Sequence, residues 1–218
     1  MEKTESCKIL YRGGVGELVE KKSRFIATTF PVRSEEEAAA FIEQTRKKYW
    51  DARHNCTAWV IGGSPLLSRC SDDGEPAQTA GRPMLDVLLG AQLRDVCVVV
   101  TRYFGGTLLG TGGLVRAYSG AVTEGLKNSV ILEKCRGRNV LVRTDYNGVG
   151  KLQYVAGQMG LTIMDTEYTE QVTAKLLVPP ALLGSFRAQM EERTAGQAQM
   201  ELQDEVWYGM LDGKVILL

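Results

Sequence analysis

Alternating apolar and polar positions predict the first elements of the chain. Residues 16–32 alternate and are rich in β-branched side chains, which predicts one long strand or a hairpin. Ser34 and Glu37 have the spacing of a capping box, which predicts a helix from there to about Tyr49. A further β-branched and aromatic run at 54–63 predicts a strand closed by a pair of glycines.

An uninterrupted apolar run predicts the central strand. Val96 to Val100 are apolar without a break, which is typical of a strand covered on both faces, here at 94–103. Pro83 fits the first turn of a short helix that ends at Leu89. A helix at 111–127 follows a glycine-rich segment. The remaining predictions for this part are a polar, turn-rich loop at 64–76 and a short strand at 130–133.

The C-terminal third has a different order of predicted strands and helices. Its predicted order is strand, helix, strand, strand, helix, strand, which is the βαββαβ order of a ferredoxin-like domain. Asn147 is the expected cap of the first of these helices, and Arg136-Gly137-Arg138 is the expected linker. We therefore predict an α+β protein with domains at 1–135 and 138–218. The six predicted elements lie at 139–144, 148–159, 161–168, 171–178, 181–193 and 201–208.

Composition and charge narrow the class of protein. With 44% apolar and 24% charged residues, the chain is typical of an ordinary globular protein. It has no run of about 18 apolar residues and no hydrophobic region at its start, so we expect the cytoplasm. The five scattered cysteines suit neither a disulfide framework nor a zinc site. The formal charge is +3 over 1–137 and −3 over 138–218, so any contact with nucleic acid must be local.

A glycine-rich segment between the apolar strand and the next helix is the first candidate site. Glycines allow positive φ and close approach of the backbone, and the first turn of a helix presents free amides to an anion. Flanking arginines add positive charge, so the segment predicts a phosphate-binding surface. The alternative is a tight turn whose arginines pair with acids at 72–75. The residues concerned are Arg102, Gly105, Gly106, Gly112, Gly113 and Arg116.

Two further segments carry candidate chemistry. Asp72, Asp73 and Glu75 offer oxygen ligands for a cation, but they lack the spacing of a calcium loop, so a surface turn paired with arginines is the alternative. His54 is the only histidine and follows Asp51 by three positions. It is either a general base or metal ligand, or a hydrogen-bonded structural histidine. No nucleophile motif is present, and we predict neither a metal nor a cofactor.

Three segments together resemble the signature of the YigZ/IMPACT family. They are D-A-R-H-N-C-T-A at 51–58, S-D-D-G-E-P-A-Q-T-A-G-R-P-M-L at 71–85 and T-R-Y-F-G-G-T-L-L-G-T-G-G-L-V-R-A-Y at 101–118. The resemblance covers about residues 16–128, and the βαββαβ remainder resembles the extra C-terminal domain of bacterial members. One departure is Gln78, where we expect the family's glycine; its side chain would narrow any groove formed with the 105–113 loop.

The resemblance implies a fold and a class of function. The N-terminal domain is expected to resemble domain IV of elongation factor G, a ribosomal-protein-like β-α fold, and the C-terminal domain its domain V. Eukaryotic members of the family regulate translation. We therefore expect a non-enzymatic, translation-associated protein that contacts RNA or a ribosome-linked partner through its N-terminal domain and a protein through its C-terminal domain. The alternatives are a hydrolase-type enzyme that uses His54 with Asp72, Asp73 and Glu75, and a pure protein-interaction module.

Overall fold

The apolar run at 96–100 becomes the middle strand of a five-stranded sheet. The computed structural model describes residues 6–62 and 65–218, which fall into two units: Cys7–Leu132, and Glu133–Leu218 with Ser6. The protein is therefore a mixed α+β protein of two domains. The elements of the N-terminal unit are β1 Cys7–Arg12, β2 Val15–Glu20, β3 Ser23–Pro31, α1 Glu35–Lys48, β4 His54–Ile61, β5 Leu67–Ser71, α2 Gly81–Gly90, β6 Leu93–Arg94, β7 Val96–Tyr103 and α3 Gly110–Lys127.

Helices cover both faces of this sheet, whose order is β2-β3-β7-β4-β5. All its neighbouring strands are antiparallel. Val98 and Val100 of β7 pack in one core with α2 and α3, while Cys97 and Val99 point to a second core under α1. All four are fully buried. Burial on both faces is the reason that the strand is apolar without alternation.

The C-terminal unit has the predicted order of elements. Its strands lie in the order β9-β10-β8-β11-β12, and each neighbouring pair in this order is antiparallel. Val142, Leu176 and Phe186 are among the residues of its separate core, which α4 and α5 cover. The elements are β8 Val130–Thr144, α4 Tyr146–Met159, β9 Thr162–Tyr168, β10 Val172–Val178, a 3₁₀ turn Pro180–Leu182, α5 Leu183–Thr194, β11 Gln199–Leu211 and β12 Lys214–Leu217.

Several predicted elements are corrected by the structure. The expected linker, residues 136–138, lies inside β8, which runs without interruption from Val130 to Thr144. Asp145, not Asn147, caps α4, because its side chain accepts a hydrogen bond from the Gly148 amide. The expected loop at 64–76 contains β5, the strand predicted at 94–103 is divided into β6 and β7, and the sequence did not predict β1 or β12. The predicted strand at 54–63 ends at Ile61, and Gly63 lies outside the described residues.

The capping box of α1 is confirmed in its main feature. The Glu37 amide donates to the Ser34 Oγ atom at 3.2 Å, as the spacing predicts. The Glu37 carboxylate in turn accepts from the Arg33 amide at 2.7 Å, one residue earlier than the capping position itself. The long strand or hairpin expected at 16–32 is a hairpin, formed by β2 and β3.

Candidate functional site

Asp72 stabilises the start of α2. Its Oδ1 atom accepts hydrogen bonds from the Ala80 and Gly81 amides at 3.0 and 2.8 Å, and its Oδ2 atom accepts from the Gln78 amide at 2.8 Å. Oδ1 thus accepts from two amides at the helix start, where the capping residue Ala80 has no side-chain cap, and Oδ2 accepts from an amide of the preceding loop. This carboxylate therefore supports the fold of the loop.

Asp73 joins the same loop to β4 and α1. Its carboxylate accepts hydrogen bonds from the Asn55 backbone amide at 2.7 Å and from the Arg46 guanidinium at 2.9 Å. The Asp73 carbonyl lies 2.9 Å from the Nδ1 atom of His54. A carbonyl oxygen can only accept, so Nδ1 carries the proton in this contact. In the neutral ring, Nε2 is then the acceptor, and it has no partner among the described residues.

Glu75 and Arg102 form a buried ion pair. The Glu75 Oε1 atom lies 2.6 Å from Arg102 Nη1, and the two side chains are only 4% and 8% exposed. Tyr118 donates a second hydrogen bond to the same oxygen at 2.8 Å. Burial raises the pKa of the Tyr118 hydroxyl above its usual range, so it remains a donor. The alternative expectation, that an arginine of the glycine-rich segment pairs with the acids at 72–75, is thus correct for Arg102.

The Arg102 guanidinium also lies close to two aromatic rings. Its central carbon lies 5.4 Å from the centroid of Phe25 and 5.6 Å from that of Phe104. Phe25 is buried and meets the Tyr118 ring edge to face at 5.1 Å. Phe104, in contrast, is 53% exposed. A series of contacts therefore leads from the buried Tyr118 and Phe25 through Arg102 to an aromatic ring at the surface.

The start of α3 is open and positively charged. Gly110, Thr111 and Gly112 are exposed, no side chain caps the helix, and no acid lies in its first turn. A Cβ placed on Gly112 would lie 3.7 Å from Arg116 Nη1, so the guanidinium lies over the first turn. Among the described residues, no carboxylate pairs with Arg116. The free amides, the helix dipole and this guanidinium together favour an anion; we call Gly110–Gly112 with Arg116 the α3 anion surface.

The four predicted glycines have different roles. A Cβ on Gly105 would overlap the backbone of Lys22 and Ser23, so this position requires glycine for close packing. Gly106 has a φ of +86°, a conformation that favours glycine. Gly112 is exposed at the α3 anion surface, and Gly113 lies against the Leu109 side chain.

A small pocket adjoins the α3 anion surface along the chain. It encloses about 230 Å³ and is lined by Arg53, His54, Arg102, Phe104 and Leu108; we call it the Phe104 pocket. Arg53 is exposed, and no carboxylate pairs with it among the residues that the structure describes. Sequence analysis missed Arg53, Phe104 and Leu108. Only their positions inside the resembling segments 51–58 and 101–118 pointed to them.

Within the described part of the chain, His54 makes no hydrogen bond to the carboxylates expected to work with it. His54 contacts the backbone of Asp73, while Asp72, Asp73 and Glu75 each bond to other groups. In the described part of the chain, no cluster of three or more His, Cys, Asp or Glu side chains is arranged to hold a metal ion. Gln78 is exposed and is not a lining residue of the Phe104 pocket, so it does not narrow it. Its φ of +63° explains why a glycine is expected there.

These observations define a class of protein: a two-domain α+β protein whose N-terminal unit carries an anion-attracting surface beside a small aromatic pocket. Residues 21–126 match the Impact N-terminal domain, and residues 142–197 match a domain of unknown function, DUF1949. The chain belongs to the IMPACT family. No helix among residues 6–62 and 65–218 is long and apolar enough to cross a membrane.

Similar proteins cover nearly the whole chain. The IMPACT family member YvyE of Bacillus subtilis is 40% identical over 86% of this chain and 87% of its own length. The family member YigZ of Escherichia coli is 37% identical over 83% of this chain and 89% of its own. A crystal structure of a protein described as hypothetical is 35% identical, covers 93% of this chain and 99% of that one, and has a TM-score of 0.57.

Proposed function

We propose that this protein is a translation-associated binding protein whose N-terminal unit contacts RNA through phosphate groups. The observation that carries the proposal is the open α3 anion surface, where free amides and the Arg116 guanidinium coincide and no acid of the described residues neutralises them. Arg53 adds a second exposed guanidinium beside the Phe104 pocket. Phosphate contacts of this kind give affinity without sequence specificity.

The link to translation rests on the family. The resemblance to the IMPACT family implies likeness to domains IV and V of elongation factor G, and a fold shared with a translation factor suits contact with ribosomal RNA. A resemblance of fold does not by itself define a function, so the residues of the α3 anion surface must be tested directly.

Arg102 has a different role in this proposal from that expected of it. Its charge is balanced by Glu75 inside the unit, and its side chain is 8% exposed. Loss of Arg102 would leave a buried carboxylate without its partner, so an effect of Arg102→Ala on binding would reflect unfolding as much as lost contact. Arg116 and Arg53 are therefore the residues to change.

The test is binding to ribosomes and to RNA across a series of salt concentrations. Cosedimentation and fluorescence anisotropy should show affinity that falls steeply with salt. Arg116→Ala and Arg53→Ala should each weaken binding and lower the slope of log K against log salt by about 0.7 to 0.9, the value for one lost phosphate contact.

Arg82→Ala is the matched control. Arg82 lies on α2 of the same unit, is exposed, and pairs with Asp86 at 2.8 Å, so its charge is already balanced. It should bind RNA like the wild type. Equal effects of Arg82→Ala and Arg116→Ala would mean that RNA is attracted by overall charge and not by the α3 anion surface, which contradicts the proposal. Absence of binding by the wild type at every salt concentration would also reject it.

For the C-terminal unit we propose a protein contact. Residues 138–218 carry seven Lys and Arg against ten Asp and Glu, a net charge of −3, which disfavours RNA. The unit has a pocket of about 340 Å³ lined by Leu183, Gly184, Arg187, Met200 and Leu202. Leu202 is 52% exposed. Leu202→Glu should abolish capture of a nuclease-resistant partner and leave RNA binding unchanged.

A further inference from the structure

The Phe104 pocket has the features of a stacking site. Phe104 is half exposed, and the Arg102 guanidinium lies over its ring at 5.6 Å. Because the guanidinium is itself hydrogen-bonded to Glu75 and lies over the Phe25 ring, it gives the Phe104 ring a contact that is anchored in the interior. An aromatic ring that is held in place at the surface loses little conformational entropy when a flat group stacks on it.

Polar groups line the pocket together with this ring. The proton on His54 Nδ1 is committed to the Asp73 carbonyl, which leaves Nε2 as the acceptor of the neutral ring. Such an acceptor suits an exocyclic amine of a base or a ribose hydroxyl. Arg53 offers a guanidinium on the same lining, and the first turn of α3 begins two residues after Leu108.

The size of the pocket selects among flat ligands. At about 230 Å³ it is smaller than the roughly 300 to 1,000 Å³ of typical cofactor sites. One base with part of its ribose suits this volume, and the phosphates on either side would then lie outside the pocket. A base inside a duplex is stacked on both sides and is not free to enter.

We propose that the Phe104 pocket takes one unstacked base of single-stranded RNA, with the base on Phe104 and the neighbouring phosphates on Arg53 and the α3 anion surface. This inference rests on the proposed RNA contact and adds to it a preference for single strands. The phosphate contacts supply the salt-dependent part of the affinity, and the pocket supplies the part that distinguishes an unpaired base from a duplex.

The experiment measures anisotropy of labelled RNA with the full chain. The probes are a single-stranded decamer, a fully paired duplex with the same number of phosphates, and free AMP as a competitor. Phe104→Ala should weaken binding of the single strand by about tenfold, with the salt slope unchanged, because a stacked base is lost and no phosphate contact is. Phe104→Trp should retain the wild-type affinity.

Tyr11→Ala is the control for loss of an exposed aromatic residue. Tyr11 is 40% exposed on β1 of the same unit. It should bind both probes like the wild type, and the urea midpoint of each variant shows whether it is folded. AMP should displace the decamer only at concentrations far above the decamer's own dissociation constant, since a free nucleotide makes only part of the contacts.

The results separate the two proposals. Equal affinity for duplex and single strand, or wild-type binding by folded Phe104→Ala, overturns the base pocket, while a salt slope that depends on Arg116 keeps the RNA contact. Tight binding of AMP without binding of the decamer overturns the strand as ligand. No binding of any RNA rejects both.

Discussion

The three acids at 72–75 show how differently neighbouring carboxylates are used. Asp72 accepts from three backbone amides, Asp73 accepts from the Asn55 amide and Arg46, and Glu75 pairs with Arg102 in the interior. The first two are partly accessible, so water shares their charge. Glu75 and Arg102 have given up that hydration and depend on each other.

Loss of the Glu75 charge should be severe. In Glu75→Gln the Arg102 guanidinium stays buried without its counter-ion, which is expected to lower the free energy of unfolding by about 3 to 5 kcal/mol. Urea denaturation measures this directly. The double variant Glu75→Gln with Arg102→Met should recover part of the loss, because no unpaired charge is left inside.

An exposed ion pair provides the comparison. The Asp86 Oδ1 atom lies 2.8 Å from Arg82 Nε, close to the separation in the Glu75–Arg102 pair. Their side chains, however, are 54% and 61% exposed. Asp86→Asn should change the free energy of unfolding by less than about 1 kcal/mol. If the two substitutions cost the same, burial is not what gives the Glu75–Arg102 pair its importance.

The thiol of Cys97 gives a pH dependence of known sign. Burial raises its pKa from 9.0 to about 12. Between these values the unfolded chain releases the proton while the folded chain retains it, so the stabilisation is complete below about pH 9 and is lost as the pH rises towards 12. The stability of the wild type should fall relative to Cys97→Ala by up to about 1.4 kcal/mol per pH unit. Urea titrations of both proteins at pH 8 to 11 measure the difference, and parallel curves would contradict it.

At the scale of elements, the apolar pattern is informative only where both faces are buried. It identified β7, the helices and the βαββαβ order correctly. It missed β5, whose residues are mostly exposed at the sheet edge, because an edge strand needs no apolar pattern.

Likewise, nothing in the local sequence distinguishes Arg102 from Arg116. The strand position of Arg102 turns it towards Glu75, and that contact joins residues 27 positions apart.

Two glycines of the same segment should respond oppositely to alanine. A Cβ on Gly105 would overlap the backbone where β3 begins, so Gly105→Ala should cost about 1 to 3 kcal/mol. In Gly112→Ala the new Cβ would meet only Arg116 Nη1 at 3.7 Å, an ordinary contact. That variant should be stabilised by about 0.5 to 1 kcal/mol, because alanine favours a helix. Thermal unfolding monitored by circular dichroism measures both; a stabilised Gly105→Ala would show that the turn can open.

At the scale of the molecule, each unit has its own core. Phe186 is fully buried among apolar residues of the C-terminal unit only. We propose that the predicted domains at 1–135 and 138–218 are stable independently of each other. Phe186→Ala should cost the C-terminal unit about 3 to 5 kcal/mol. Hydrogen exchange measured by mass spectrometry should then speed up in β10 and remain unchanged in β7. Faster exchange in both would mean that the units unfold together.

The unbroken course of β8 has a consequence for proteolysis. In the backbone register of the sheet, Arg136 lies opposite Trp207 of β11. Arg138 lies opposite Glu205 of β11 on one side and Val178 of β10 on the other. A protease must draw a segment of several residues into its cleft, so peptide bonds held in a sheet resist cleavage. A brief trypsin digest should cut after Arg53, which is exposed before β4, well before it cuts after Arg136 or Arg138. Early fragments ending at 136 or 138 would instead reveal a strand that opens readily at that point.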